Sequence, residues 1–153
     1  MSKPPPEEAT HATTLAIRDH CLCLHVQRAA RALARRFDAA FRPLGLTSGQ
    51  FSLLNALNRP EPPAMGQVAA VLAMDRTTLT AALKPLERRG LVSAVAGEDR
   101  RSRRMALTGA GRALLAEAVP VWRRVHAEVD AEVEAAPGGL RGALRALAQG
   151  TSR

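Results

Sequence analysis

Aromatic residues and cysteines are scarce in this sequence of 153 residues. It contains no tyrosine, one tryptophan, three phenylalanines and two cysteines. Two cysteines, Cys21 and Cys23, are too few for the disulfide framework of a small secreted protein. No apolar run approaches the roughly 18 residues that a membrane span requires, and residues 1–11 are polar and proline-rich, unlike a secretory signal. We therefore expect a cytoplasmic protein that does not associate with membranes.

Lysine is also rare, since Lys3 and Lys84 are the only two, yet the chain is strongly basic. It has 22 Lys and Arg against 14 Asp and Glu, a net charge of +8 and a pI of about 11.3. Arginine forms bidentate hydrogen bonds with phosphate and with guanine, so this balance favours a nucleic-acid partner. A GC-rich coding sequence favours arginine as well, so charge alone does not decide the function.

The first third of the chain is predicted to form one long helix. Residues 1–12 include three consecutive prolines and are expected to be a disordered tail. From about Leu15 to Phe41, apolar residues recur at steps of three and four, as on the buried face of a helix: Leu22, Val26, Ala29, Leu33, Phe37 and Ala40. Pro43 and Gly45 end this pattern.

The middle of the chain predicts three shorter helices. They are a helix from Thr47, a short helix at 65–72 and, after a tight turn at 73–75, a helix at 76–89 that ends at Gly90. Thr47 and Gln50 have the spacing of a capping box, and Asp75 is a favourable N-cap for the third helix. Pro85 removes one helical hydrogen bond and is expected to bend that helix.

A β-hairpin and a long helix are predicted next. Residues 91–107 indicate two short strands joined by a charged turn. Thr108 is expected to cap a helix that reaches residue 135 or 136, with a kink at Pro120. A short last helix is expected at 140–148. The predicted fold is mainly α with a small β-hairpin wing.

Two helices joined by a tight turn, with positive charge around the second, are typical of a helix-turn-helix. The second helix carries side chains that can bond bases or phosphates: Arg76, Thr77, Thr78, Thr80, Lys84 and Arg88. The hairpin turn adds a second charged group, suited to the narrow minor groove: Asp99, Arg100, Arg101 and Arg103. Residues 76–104 hold eight basic and three acidic residues. Either feature alone is often just a solvated surface, but both together, in this order, predict a double-stranded DNA partner.

Two motifs carry a resemblance to a known family. In the wing, Asp99-Arg-Arg is followed by Leu107-Thr108, which is a D-x-R…L-T pattern. Before it come a helix-turn-helix at 65–92 and, at the start of the second helix, Leu44-Gly-Leu-Thr47. Together these segments resemble the MarR family of bacterial regulators. The resemblance extends over roughly residues 15–150, although the flanking helices match mainly by length and order.

This resemblance implies a homodimeric transcriptional regulator with a winged helix-turn-helix. It implies that the first and last helices form the dimer, that the helix at 76–89 enters a major groove and that the wing enters the adjoining minor groove. Arg101 is then the wing arginine, and Asp99 orients it. Such dimers bind palindromic operators with half-sites roughly 34–36 Å apart, usually repress, and release DNA when a small effector binds. The implied regions are a tail at 1–12, dimerisation segments at 13–46 and 109–153, and a DNA-binding region at 47–108.

Four potential metal ligands, two of them oxidisable cysteines, lie close together on the first helix, in the segment His20-Cys21-Leu-Cys23-Leu-His25. On a continuous helix, Cys21 and Cys23 lie on different faces and cannot pair. Cys23 takes the position of the reactive cysteine in the peroxide-sensing branch of the family, but the tyrosines of that branch are absent here. Three interpretations remain open: buried structural cysteines, which we favour, a redox-active thiol, or a metal site. No metal is assigned.

A small organic anion is the other candidate effector. We expect it between the dimer helices and the reading head, where His25, Arg28 and Arg31 can bind a carboxylate. The scarcity of aromatic residues argues weakly against a pocket that stacks on its ligand.

No motif indicates an enzyme. The sequence has no glycine-rich phosphate loop, no Ser/His/Asp order and no zinc-hydrolase signature, and no cofactor is assigned. A winged-helix adaptor that binds proteins would be expected to carry a neutral or acidic second helix, contrary to Arg76, Lys84 and Arg88. A membrane-surface helix would carry its charge along one amphipathic face. A DNA-binding regulator is the interpretation that fits best.

Overall fold

The fold is mainly helical and contains one small sheet. A computed structural model describes residues 9–95, 104–133 and 140. The elements are α1 His11–His20, α2 Leu22–Phe41, a 3-10 helix Arg42–Leu44, α3 Ser48–Leu57, α4 Met65–Leu72, α5 Arg76–Arg88, β1 Val92–Val95, β2 Arg104–Leu107 and α6 Gly109–Glu132. The predicted class, mainly α with a β-hairpin, is confirmed. None of the described helices is both long and apolar enough to cross a bilayer.

The predicted single first helix is two helices. Cys21 lies between them with φ −70° and ψ 103°, an extended conformation, while its N–H still donates to Ile17 O at 2.8 Å and closes α1. Asp19, His20 and Cys21 all have low helix propensity, which lowers the cost of the break. The His25 side chain spans the break, with Nε2 3.0 Å from Asp19 O. The expectation of a continuous helix from Leu15 to Phe41 was therefore wrong.

The first helix also begins earlier than expected. Thr10 caps α1, because its Oγ1 accepts a hydrogen bond from Thr13 N at 3.2 Å. The prediction of a disordered tail at 1–12 is therefore wrong for His11 and Ala12, which are helical. Residues 1–8 of that tail lie outside the described residues.

The apolar stripe predicted on α2 is buried only at its C-terminal end. Phe37 and Phe41 are in the core, whereas Leu22 is 59% exposed, Val26 37% and Leu33 41%. No residue of α1 is buried. The N-terminal part of the stripe is therefore an apolar face that this single chain does not cover.

The start of α3 follows the predicted capping box. Thr47 Oγ1 accepts from Gln50 N at 3.2 Å, and Gln50 Oε1 accepts from Thr47 N at 3.2 Å. Gly45 turns the chain into this cap with φ +63°, a conformation that glycine adopts without steric cost. Asp38 of α2 accepts from Ser48 N at 2.6 Å, which ties the two helices together.

The helix-turn-helix consists of α4, a tight turn and α5, as predicted. Ala73 ends α4 in the left-handed region, at φ +50°, and Asp75 caps α5. Pro85 lies within α5 and Pro120 within α6, and both helices continue past them. Gly90, at φ +67°, follows α5 and directs the chain into β1.

The wing is an antiparallel pair, β1 with β2, in which Val92 faces Leu107 and Val95 faces Arg104. Ala64, just before α4, forms a further bridge with Arg104. The hairpin turn at 96–103 lies outside the described residues, as does the predicted last helix at 140–148 apart from Leu140.

One hydrophobic core joins α2 to α6 and the sheet. Its completely buried large side chains come from five elements: Phe41, Leu54, Val68, Leu79, Leu86 and Met105. At the surface, Arg36 links α2 to α6 through ion pairs of 3.0 Å with Glu128 and 2.6 Å with Glu132. The hydrogen bond from Arg36 holds the pKa of Glu128 below its usual value.

The start of α6 is packed tightly against the end of the helix-turn-helix. Thr108 Oγ1 accepts from Gly111 N at 3.1 Å and donates to Gly90 O at 2.7 Å. A Cβ on Gly111 would lie 2.0 Å from Leu91 O, a distance that real Cβ atoms do not occupy. Only glycine therefore fits position 111 without a backbone shift.

Candidate nucleic-acid interface

α5 presents a polar row on the side opposite the core. Leu79, Leu83 and Leu86 are buried. With 3.6 residues per turn, the far side of the helix holds four exposed residues: Thr77, Ala81, Lys84 and Arg88. We call this row the α5 face. It carries two cations and no acidic residue, so it suits an anionic partner.

A second row of α5 lines a groove beside the wing. The groove has a volume of about 130 Å³ and six lining residues: Met65, Arg76, Thr80, Leu83, Glu87 and Met105. Thr80 Oγ1 donates to Arg76 O at 2.8 Å, so this hydroxyl is bonded to the helix backbone. Arg76 and Thr80 therefore lie on the flank of α5 toward β2, beside the α5 face.

Thr78 holds the start of α5. Its Oγ1 donates to Asp75 Oδ2 at 2.6 Å, and its backbone N–H donates to Asp75 Oδ1 at 2.8 Å. These two bonds hold the pKa of Asp75 below its usual value, and the bond from the hydroxyl has the larger effect. The Thr78 hydroxyl, which the sequence predicted as a DNA contact, is thus engaged in the cap.

The wing residues predicted to contact DNA, which are Asp99, Arg100, Arg101 and Arg103, lie outside the described residues. Arg104 is one of the eight basic residues counted at 76–104, but it lies at the start of β2 and is half-buried. Its Nη1 donates to Pro62 O at 2.9 Å. Arg104 therefore holds the wing against the segment before α4.

Arg89 is another of the eight basic residues counted at 76–104. Its Nη1 donates to Gly45 O at 2.8 Å, which joins the end of α5 to the turn before α3. The exposed cations of α5 are thus Lys84 and Arg88 on the α5 face and Arg76 on its flank.

A larger cavity lies behind the helix-turn-helix, between α2, α3, α4 and α6. Its volume is about 530 Å³. All three phenylalanines and the single tryptophan of the chain line it: Phe37, Phe41, Phe51 and Trp122. The few aromatic residues were taken as an argument against a stacking pocket. The fold nevertheless gathers them in one place.

The rings in this aromatic cavity contact one another. Phe41 and Phe51 stack with ring centroids 4.8 Å apart, and Phe51 and Trp122 are stacked at 6.5 Å. His126 lies between Phe37, at 5.2 Å, and Trp122, at 4.3 Å. Aromatic pairs at such distances and angles attract each other beyond their apolar contact.

The polar residues of the aromatic cavity are those that sequence reasoning missed. Arg123 and His126 come from α6, and Ser48, Ser52 and Asn55 come from α3. The spacing of Trp122 and His126, one helical turn apart, was a signal that they share a face. An arginine and a histidine beside aromatic walls can bind a planar organic anion.

The residues that the sequence predicted for binding an organic anion lie outside the aromatic cavity. Arg28 is exposed on α2, His25 bonds to Asp19 O, and Arg31 Nη2 lies 3.3 Å from Gln27 Oε1. None of the three predicted residues lines the aromatic cavity.

Both cysteines lie at the break between α1 and α2. Cys21 is half-buried and Cys23 is exposed, so neither is the buried core residue that the sequence favoured. Gln27 Nε2 lies 3.2 Å from Cys23 Sγ and donates to it. Within the described ranges, no group of three or more metal-ligating side chains comes together.

A capped recognition helix, a preceding helix across a tight turn and a following antiparallel hairpin define a winged helix-turn-helix protein. A model of the MarR family matches residues 44–102. The regulator MosR of M. tuberculosis, solved in complex with DNA, is 43% identical, with a TM-score of 0.79 over 86% of this chain and 96% of that chain. The chain belongs to the MarR family of transcriptional regulators.

Three further proteins extend the comparison. The structure of the transcriptional repressor CouR of Rhodococcus jostii has been solved on a 23-mer DNA duplex. In that structure CouR is 28% identical to this chain, with a TM-score of 0.69 over 96% of this chain and 100% of the CouR chain. The structure of CouR bound to p-coumaroyl-CoA aligns with 26% identity and a TM-score of 0.70 over 95% of this chain and 99% of the CouR chain. The uncharacterized HTH-type regulator YwoH of Bacillus subtilis is 31% identical over 54% of this chain and 61% of its own length. A second curated relative is matched over 54% of its length, so the chain spans less than two thirds of both.

Proposed function

We propose that this chain is a homodimeric repressor that binds a palindromic operator and whose affinity for DNA is controlled by a small effector. The observation that carries the proposal is the α5 face, an exposed basic row on the second helix of a helix-turn-helix. The solved complexes of MosR and CouR with DNA support it. CouR is a transcriptional repressor, which supports repression as the sign of regulation.

The proposed contacts divide between two grooves. Thr77, Lys84 and Arg88 of the α5 face meet bases and phosphates of the major groove, and Arg76 and Thr80 meet them from the flank. The Thr78 hydroxyl and N–H hold the Asp75 cap at the start of α5, so the role proposed for Thr78 is to shape this end of the helix. In the wing, the minor-groove contacts are assigned to Arg100, Arg101 and Arg103, with Asp99 orienting Arg101.

The proposed dimer covers the apolar face that a single chain leaves open. Ile17 of α1 is 58% exposed, and Leu22, Val26 and Leu33 continue the exposed stripe along α2. Leu140, beyond α6, is also exposed. Large apolar side chains in one continuous row commonly mark an interface. A second copy related by a two-fold axis would give two α5 faces, which a palindromic operator requires.

The proposed effector site is the aromatic cavity. Its walls include Val71 and Leu72 of α4, the first helix of the helix-turn-helix, together with Trp122 and Arg123 of α6. An occupant would therefore touch both the reading head and the long helix that supports it. CouR has been solved with p-coumaroyl-CoA, an aromatic thioester, which supports an aromatic anion as the ligand class.

The test is a titration of labelled DNA from upstream of the protein's own gene, with unlabelled nonspecific DNA as competitor. We expect the double variant Lys84→Ala Arg88→Ala to bind about 1–3 kcal/mol more weakly and with a smaller dependence on salt, because phosphate and base contacts are lost. Arg35→Ala is the matched control, since Arg35 is an exposed arginine on α2, away from the α5 face.

Equal losses in the double variant and in Arg35→Ala would mean that general charge, not the α5 face, drives binding. Binding that does not weaken as salt rises would overturn the DNA assignment itself.

A further inference from the structure

We propose that Ala81 of α5 reads a thymine in each half-site of the operator, by packing its methyl group against the C5 methyl of that base. The inference rests on the proposed function, in which the α5 face enters the major groove. The sequence singled out six residues of α5 for contact with DNA, and Ala81 was not among them. In the fold, Ala81 is nevertheless an exposed member of the α5 face.

Ala81 lies in the middle of the α5 face. At 100° per residue, the four residues of this face lie within about 60° of one another around the helix. Ala81 points about 165° away from the mean direction of the three buried leucines of α5. Along the helix axis it is about 6 Å from Thr77 and about 4.5 Å from Lys84. Its methyl group is therefore at the centre of the surface that is proposed to meet the base edges.

Two of the three threonine hydroxyls on α5 are bonded within the protein. Thr78 Oγ1 donates to Asp75 Oδ2 at 2.6 Å, and Thr80 Oγ1 donates to Arg76 O at 2.8 Å. A hydroxyl that has donated its hydrogen can still accept a bond from a base, but it cannot donate to one. The reading of bases therefore depends more on the side chains of the α5 face than the sequence indicated.

The chemistry of an alanine side chain limits what it can read. It has no donor or acceptor, so its favourable contact with a base edge is apolar. The apolar group that base pairs present in the major groove is the C5 methyl of thymine. The other bases present donors and acceptors there, and a methyl group would desolvate these without replacing their hydrogen bonds. Thymine is therefore the base that Ala81 selects.

The neighbours of Ala81 on the helix surface fit this role. Pro85 is half-buried and lies one turn further along α5, next to Ala81. Its ring has no hydrogen-bond donor and adds apolar surface beside the alanine methyl. Lys84 and Arg88 supply charge for the phosphates from longer side chains. The short side chain at position 81 thus lets the helix come close to the base edges while the cations bind the backbone.

The expected gain is that of one buried methyl group in each half-site. Burial of a group of this size changes an affinity about fourfold. A dimer carries two copies of Ala81, so removal of the thymine methyl from both half-sites should weaken binding roughly fifteenfold. Loss of a phosphate contact would instead weaken binding to all sequences alike. A preference for the methylated base therefore separates the role proposed for Ala81 from a general contribution to DNA affinity.

The test compares thymine with uracil, which forms the same pair with adenine but lacks the C5 methyl. Footprinting on DNA from upstream of the protein's own gene locates the operator. Each thymine of the half-sites is then replaced by deoxyuridine, symmetrically and in turn, and affinity is measured by fluorescence anisotropy. For the wild type we expect a symmetric pair of positions at which uracil weakens binding roughly fifteenfold. At that pair, Ala81→Gly should bind the thymine and uracil operators within about twofold of each other.

Ala82→Gly is the matched control, because it introduces a glycine into the same helix at a position packed against the core. We expect it to destabilise α5 as well but to keep the full preference for thymine. Ala81→Ser is a second variant, which replaces the apolar contact with a hydroxyl at a smaller cost in helix propensity than glycine. It should also lose most of the preference. Far-UV circular dichroism checks that each variant is folded.

Four outcomes would overturn the proposal. They are half-sites without thymine, a wild type that binds every uracil operator as tightly as the original, a variant at position 81 that keeps the full preference, and an Ala82→Gly variant that loses it. A chain that binds no DNA would overturn the proposed function and this inference together. A chain that binds its operator but does not distinguish thymine from uracil would overturn this inference alone.

Discussion

At the scale of single residues, glycine at position 111 is the sharpest steric requirement in the fold. α6 begins directly against the backbone of Leu91, and at Gly111 a Cβ would lie 2.0 Å from Leu91 O. Gly109, two residues earlier in the same first turn, has no atom within 4 Å of its would-be Cβ. The two glycines therefore differ in packing while they share a helix.

We expect Gly111→Ala to destabilise the protein by about 1–3 kcal/mol, because the added methyl group forces α6 away from Leu91 O. Gly109→Ala is the matched control and should leave stability unchanged or slightly raised, since alanine is the better helix former. Denaturant unfolding monitored by circular dichroism measures both. Equal midpoints for the two variants would show that the close approach at position 111 is not required.

Residue-scale features were also the easiest to predict from the sequence. The capping box of Thr47 and Gln50 and the Asp75 cap were predicted correctly, because each joins residues within one turn of chain. The engagement of Thr78 with Asp75 was missed for a related reason. A hydroxyl near a helix start serves either a cap or a ligand, and sequence alone does not separate the two.

At the scale of elements, the order of helices and strands followed from the sequence, but the break at Cys21 did not. No proline or glycine marks it, and the apolar spacing continues from Leu15 through Leu22 as if the helix were unbroken. The structure places the break where several weak helix formers follow one another and where His25 can bond to Asp19 O. Several small differences in helix propensity, together with one hydrogen bond, do not change the periodic pattern of apolar residues.

The aromatic cavity is likewise an element-scale feature that the sequence did not reveal. Phe37 and Trp122 are far apart in the chain, and only the packing of α2 and α3 against α6 brings their rings together. The composition shows how many aromatic residues the chain has, but it does not show where in the fold they lie. A protein with few aromatic residues can therefore still build a cavity with aromatic walls, provided that the fold concentrates them.

We expect benzoate to bind this cavity and cyclohexanecarboxylate to bind it more weakly, because only the planar ring can stack on Phe51 and Trp122. Isothermal titration calorimetry measures both.

Arg123→Gln should weaken benzoate binding by about 1.5–3 kcal/mol through loss of a charged hydrogen bond. Arg124→Gln is the control, since Arg124 points to Glu128 instead of the cavity. Equal affinity for the two ligands would argue against stacking.

At the scale of the whole molecule, the chain divides into a packed body and an uncovered N-terminal arm. The core runs from Phe37 to Val125, while α1 contributes nothing to it. The ion pairs of Arg36 with Glu128 and Glu132 join α2 to α6 one residue before Phe37, the first core residue of α2. Beyond them, α2 presents its apolar stripe outward.

We expect the double variant Leu22→Glu Val26→Glu to be a folded monomer at concentrations where the wild type is a dimer, because charge would then occupy the proposed interface. Sedimentation velocity measures the change. Arg28→Glu, on the opposite side of α2, should leave the dimer intact. A wild-type chain that sediments as a monomer, or a double variant that remains dimeric, would refute the assignment of this stripe.

The Thr108 hydroxyl sets how the wing can vary among related sequences. One oxygen both caps α6 and bonds to Gly90 O, so the end of the recognition helix and the start of α6 meet at a shared atom. The hairpin between them is therefore a loop that is closed at its base. We therefore expect that residues can be added to or removed from its turn without moving α5, so that the length of the wing and the placement of α5 can vary separately.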